Sequence, residues 1–174
     1  MKLETKQKIA ASVRTFRLPR YQEIPDVGLY LEQTAKYIAE YLNPVLENSI
    51  TPSMVSNYVK KGLIDNPVKK QYGRDQIAYL IFIAIAKNVL SLDALINFIA
   101  VQKRTYSLQK AYDYFCDQLE STLFFTAEVS DTMDIVGEDN ADEKRLLFCC
   151  IVAVTQKIYL EKCLDAIAAE ETET

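Results

Sequence analysis

The chain has 174 residues, length for one domain or two small ones at roughly 150 residues each, and its 49% apolar and 25% charged content is that of a globular protein. It contains no histidine, which excludes Ser-His-Asp and Cys-His nucleophiles and a histidine-ligated zinc. The net charge of −4 is unevenly spread: residues 1–48 are net +1, residues 49–104 carry eight basic and three acidic side chains, net +5, and residues 105–174 carry five basic and fifteen acidic, net −10.

Residues 3–15 read as a short helix with Leu3, Ile9, Ala10 and Val13 apolar. Leu18–Gly28 holds Pro19, Pro25 and Gly28 and is expected to be an extended arm. Asp26 is placed to cap a helix over Leu29–Leu42, and Pro44 stops it. Thr51 gives a sharper start. It is a capping residue, and Pro52 follows at the first helical position, where its missing N–H costs nothing. That helix is expected to run to about Lys61, with Gly62 after it and Lys60 and Lys61 favoured by the dipole in its last turn. Leu63–Tyr72, with Pro67, Lys69, Lys70 and Gln71, is too short for a helix and reads as a hairpin or extended wing. Gly73 or Arg74 opens a very apolar helix to about Val89, and Ser91 caps another carrying Leu92, Leu95, Ile96 and Ile99. Two long helices follow, at about Ser107–Val129 and Asn140–Glu170, separated by the acidic stretch Ser130–Asp139.

The charged N-terminus carries no apolar segment of the kind a signal peptide needs. The longest apolar runs, Ile77–Ala86 and Leu146–Val154, fall short of the roughly 20 residues that span a bilayer. A cytoplasmic protein without membrane contact is expected. Cys116, Cys149, Cys150 and Cys163 form no CxxC and read as reduced thiols in helices. Glu128, Asp131, Asp134, Glu138, Asp139, Asp142 and Glu143 lack the spacing of a calcium loop, and there is no glycine-rich phosphate loop. No metal, no cofactor and no enzymatic activity are expected. Tyr106, Tyr112, Tyr114, Phe115, Phe124 and Phe125 read first as core, with a small-molecule pocket as the alternative.

The informative stretch is Thr51–Ile64, TPSMVSNYVKKGLI. Val55 and Val59 make an inward stripe with Leu63. Ser53, Ser56, Asn57 and Lys60 occupy the opposite side, and no acid occurs between Thr51 and Ile64. Short donors and acceptors on an acid-free helix face suit the edges of bases in a major groove. The segment that follows supplies Lys69, Lys70, Tyr72 and Arg74, which with Tyr58 and Lys61 are candidates for phosphates.

Thr51–Ile64, Lys70-Gln71-Tyr72 and Asp75–Leu80 resemble the winged helix-turn-helix of MerR transcription regulators. Tyr58 stands at the second residue of that family's aromatic pair and Asn57 at the first, Gly62-Leu63-Ile64 match, Lys70 and Tyr72 stand for the wing arginine and tyrosine, and Ser91–Ile96 is similar to its fourth element. The wider arrangement, with Ile24-Pro25-Asp26 and Leu29-Tyr30 ahead of the Asn57–Lys61 core, resembles an uncharacterised bacterial family. The resemblance implies a mainly all-α protein in three parts: an N-terminal helix and arm (1–28), a winged helix-turn-helix with a short β-hairpin wing (29–104), and an acidic C-terminal helical region (105–174) for dimerisation or an effector. It implies a transcriptional regulator that binds double-stranded DNA. A homodimer is expected because one short helix reads only a few base pairs, with the very apolar Leu146–Val154 helix as its seam, and the aromatic cluster makes a small-molecule effector a further candidate partner. The competing reading is an interaction module of the same shape that docks a protein and binds no DNA.

Overall fold

The computed structural model describes residues 3–47, 49–133 and 142–172. It is mainly helical with one small antiparallel sheet. In chain order the elements are α1 (Leu3–Val13), β1 (Leu29–Tyr30), α2 (Leu31–Leu42), α3 (Pro52–Lys60), β2 (Gln71–Tyr72), α4 (Arg74–Ala86), α5 (Leu92–Thr105), α6 (Leu108–Thr126) and α7 (Asp142–Thr172). The acidic stretch expected between the last two helices falls largely outside the described residues.

Local chemistry sets most of the boundaries. Thr51 accepts a hydrogen bond from the Met54 N–H at 3.3 Å, Ser91 one from Ala94 at 3.2 Å and Ser107 one from Lys110 at 3.4 Å, so each cap satisfies an orphan donor of its helix. At the far end of α3, Gly62 takes φ +72°, with Leu63 N–H bonded to the Tyr58 carbonyl and Gly62 N–H to that of Val59, both at 3.0 Å. This is a Schellman motif, closed by the residue type that enters the left-handed region without strain.

One expected boundary moves. Leu29 and Tyr30 are strand rather than the first turn of a helix, and α2 starts at Leu31 behind Tyr30, not behind Asp26. The reason is β2: Leu29 pairs with Tyr72 and Tyr30 with Gln71. A Cβ on Gly28 would lie 2.7 Å from that of Gln71, so the approach of the two strands requires glycine there.

The core is continuous from Val13 to Ile158. α4 runs through its middle, with every residue from Ile77 to Ala86 buried except Tyr79. α6 and α7 pack along one another and against α4 and α1. α7 buries one stripe, Leu147, Cys150, Ile151, Val154, Thr155 and Ile158, and exposes another. Among the described residues no helix is long and apolar enough to cross a membrane, and no group of three or more Cys, Asp or Glu could hold a metal ion. All four cysteines are free thiols; of the vicinal pair, Cys150 is buried and Cys149 exposed.

Candidate nucleic-acid interface

α3 has an inner and an outer face. Val55 is fully buried and Tyr58 is 4% exposed, while Ser53, Asn57 and Lys60 point outward, with Ser56 half-buried beside them and Lys61 exposed just beyond the last turn. The helix is held from behind. The half-buried Lys87 ammonium, at the end of α4, donates to the Ser49 carbonyl at 2.7 Å and lies 3.5 Å from the Met54 sulfur. Burial pushes the Lys87 pKa down, and these acceptors keep the ammonium hydrogen-bonded.

The basic segment after α3 is a two-residue β-turn. Val68 and Gln71 exchange both backbone hydrogen bonds, at 3.0 and 2.9 Å, and Lys69 and Lys70 form the tip with φ of 50° and 67°. Positive φ at both central residues is the type I′ pattern, which normally selects Asn-Gly. Both lysines are exposed. Neither they nor Asn57, Lys60 and Lys61 make a side-chain hydrogen bond or ion pair among the described residues.

Three residues expected at phosphates lie elsewhere. Tyr58 and Tyr72 are each 4% exposed and belong to the core, and burial pushes both phenols up. Arg74 is a structural clamp. Its Nε donates to the Ile24 carbonyl at 2.9 Å, Nη1 donates to the Gln22 side chain at 3.1 Å, Nη2 lies 3.7 Å from Asp26, and the guanidinium stacks over Tyr21, 5.6 Å from the ring centre. The outward-facing set therefore reduces to Ser53, Asn57, Lys60, Lys61, Lys69 and Lys70, with Ser56 at its edge.

Sequence reasoning found the arm but not what it does. Arg20 forks onto both oxygens of Glu120, at 2.7 and 2.8 Å, and reaches Asp117 at 2.7 Å. The N–H groups of Leu18 and Tyr21 donate to Glu120 and Asp113, both at 2.7 Å, and the Tyr21 hydroxyl donates to Asp75, which pushes its pKa up to about 12. The arm thus straps the start of α4, directly after the hairpin, to the outer side of α6. The spacing of Asp113, Asp117 and Glu120 on one helix face is the signal that could have suggested it.

A family model for DUF1836, a domain of unknown function, matches residues 19–115. The chain belongs to this family. No curated protein and no solved structure matches it. The DUF1836 segment runs from the arm through α3 and the hairpin to the first half of α6, so it contains every outward-facing residue named above.

The DUF1836 segment also supplies most of a second feature, a cavity of about 560 Å³ between α5, α6 and the first turns of α7. Of the aromatic cluster seen in the sequence, Tyr106 and Tyr114 line this cavity. Tyr112 and Phe115 are core, Phe124 packs against the core, and Phe125 is exposed. Phe98 and Val101 of α5 complete its apolar wall, which the sequence left unassigned.

Proposed function

We propose that this protein is a DNA-binding transcriptional regulator of MerR-like type, in which β1, α2, α3 and the hairpin form a winged helix-turn-helix. In this reading α3 enters the major groove. Ser53, Ser56, Asn57 and Lys60 meet base edges, and Lys61, Lys69 and Lys70 meet phosphates. The observation that carries it is the pairing of an outward, acid-free α3 face with a hairpin tip whose two ammoniums have no partner among the described residues. The tip holds both lysines in an unfavourable backbone conformation, and on a duplex each would release counterions.

The functional unit would be a homodimer, since one short helix reads only a few base pairs and two-fold symmetry doubles the site. α7 supports this. Leu146, Ala153, Leu160 and Ile167 recur every seven residues on its exposed side, away from the stripe buried in the core, with Leu164 exposed beside them. A seven-residue apolar repeat is the pattern of a seam between two helices, and a small residue within it lets the two backbones approach.

The test is binding to duplex DNA across a salt series. Wild-type affinity should fall steeply with salt, and the double variant Lys69→Ala, Lys70→Ala should weaken binding and flatten the log–log slope by about 2, one contact per lysine. Asn57→Ala should reduce discrimination between sequences more than affinity for random duplex. A slope unchanged by removing both lysines would defeat the assignment of the hairpin. Absence of any duplex binding at low salt would leave the protein-docking module as the reading that the exposed face supports.

A further inference from the structure

We propose that the cavity between α5, α6 and α7 is a binding site for a small amphipathic anion, a carboxylate carried on an apolar body. Its volume of about 560 Å³ lies inside the range that small-molecule sites occupy, and its walls are predominantly apolar. Phe98, Val101 and Leu147 offer the greasy part, and Tyr106 and Tyr114 offer rings.

The Lys110 ammonium sets the polar end of the ligand. The Lys110 ammonium lies 5.2 Å from the centre of the Tyr106 ring and that of Lys144 lies 6.0 Å from the same ring and 5.5 Å from Tyr114. Two like charges are thus gathered on one tyrosine, and Lys110 has no ion pair among the described residues. Of the two carboxylates on the lining, Asp117 faces Arg20 at 2.7 Å, a guanidinium it shares with Glu120, and Glu143 stands on α7 beside Lys144. Gln102 adds nothing for a ligand, because its amide donates to the Tyr106 carbonyl at 2.9 Å and accepts from the Tyr79 hydroxyl at 3.0 Å; it fixes the tyrosine in place. A neutral apolar molecule would make no use of the Lys110 ammonium. A carboxylate would sit beside it with its body against α5.

The inference does not depend on the reading of α3 and is tested without DNA. The full chain is titrated calorimetrically with decanoate and, in parallel, with decanol. Decanoate should bind saturably at one site per chain, and decanol about tenfold more weakly, the loss of one charge-assisted hydrogen bond. Lys110→Met should lose about the same factor for decanoate, and Lys110→Arg should restore it. Val101→Trp, which fills the apolar wall, should abolish binding; Ala94→Leu, a smaller intrusion from the same helix, should weaken it if the tryptophan variant fails to melt cooperatively. Equal affinity for decanoate and decanol would overturn the anion assignment, and an absence of saturable binding, or binding untouched by both filling variants, would overturn the site.

Discussion

Lys69 and Lys70 hold the hairpin tip with φ of 50° and 67°, a conformation that costs a side-chain-bearing residue about 1 kcal/mol or more each. Asparagine and glycine adopt it with little penalty. The lysines make no side-chain bonds to the described residues that offset the cost, so the fold would be better served by another pair. Replacing Lys69 by Asn and Lys70 by Gly should therefore raise stability by about 1–2 kcal/mol, measured by chemical denaturation, while duplex binding falls. Arg74 belongs to the opposite class. It sits two residues beyond the same hairpin, yet its guanidinium is committed to the Ile24 carbonyl, Gln22 and Asp26. From the sequence the three cations look alike, because each is a basic residue in a polar segment. What separates them is an arm fifty positions earlier in the chain, and no local pattern shows where its carbonyls will lie.

Elements whose signals are local are legible in the sequence, and those defined by a distant partner are not. α3 starts at Pro52 behind Thr51 and stops at a left-handed Gly62, as caps and glycine chemistry dictate. β1 and β2 are two residues each, too short to show an alternating pattern, and exist only because they pair with one another. On α3 the expected inner stripe is Val55 and Val59. The position three residues on is as close a neighbour as the one four on, and the core takes Tyr58 with Val55 while Val59 stays half-buried. α7 repeats the lesson at larger scale: its apolar circumference suggests a buried helix, and two separate stripes account for it. The inner one is covered by α6, α4 and α1. The outer one leaves Leu146 51%, Leu160 57% and Leu164 56% exposed. Leu160 lies on this outer stripe and outside the core. Leu160→Asp should convert a dimer to a monomer in light scattering at micromolar concentration, with the far-UV spectrum and melting behaviour of the folded chain retained. A wild-type chain that is monomeric across that range would remove the seam.

At the scale of the whole molecule, the surface that would face DNA rests on helices far from it in sequence. α3 packs on α2 and α2 on α4, and α4 is buried from Ile77 to Ala86 apart from Tyr79, with Leu80, Ile81, Ile83 and Ile85 among the largest fully enclosed side chains. The hairpin, α2, α3 and α5 do not enclose such a rod; α6 and α7 supply the remaining cover. The arm adds a second dependence, because Leu18 and Ile24 are buried in the same core and the carboxylates that hold its backbone stand on α6. A fragment of residues 29–104 would expose several of those isoleucines and leucines to water at a cost of about 2 kcal/mol each, more than the few kcal/mol by which a domain of that size is stable. The fragment should accordingly lack a cooperative transition in denaturant monitored by circular dichroism, whereas the full chain should unfold in one step. A cooperative fragment that binds duplex with the same salt slope as the full chain would show the opposite: a separable reading head, with the acidic helices serving only as its partner-binding tail. The continuity of the core from Val13 to Ile158 argues for the first outcome, in which anything that shifts α6 or α7 is felt at the hairpin through α4 and the arm.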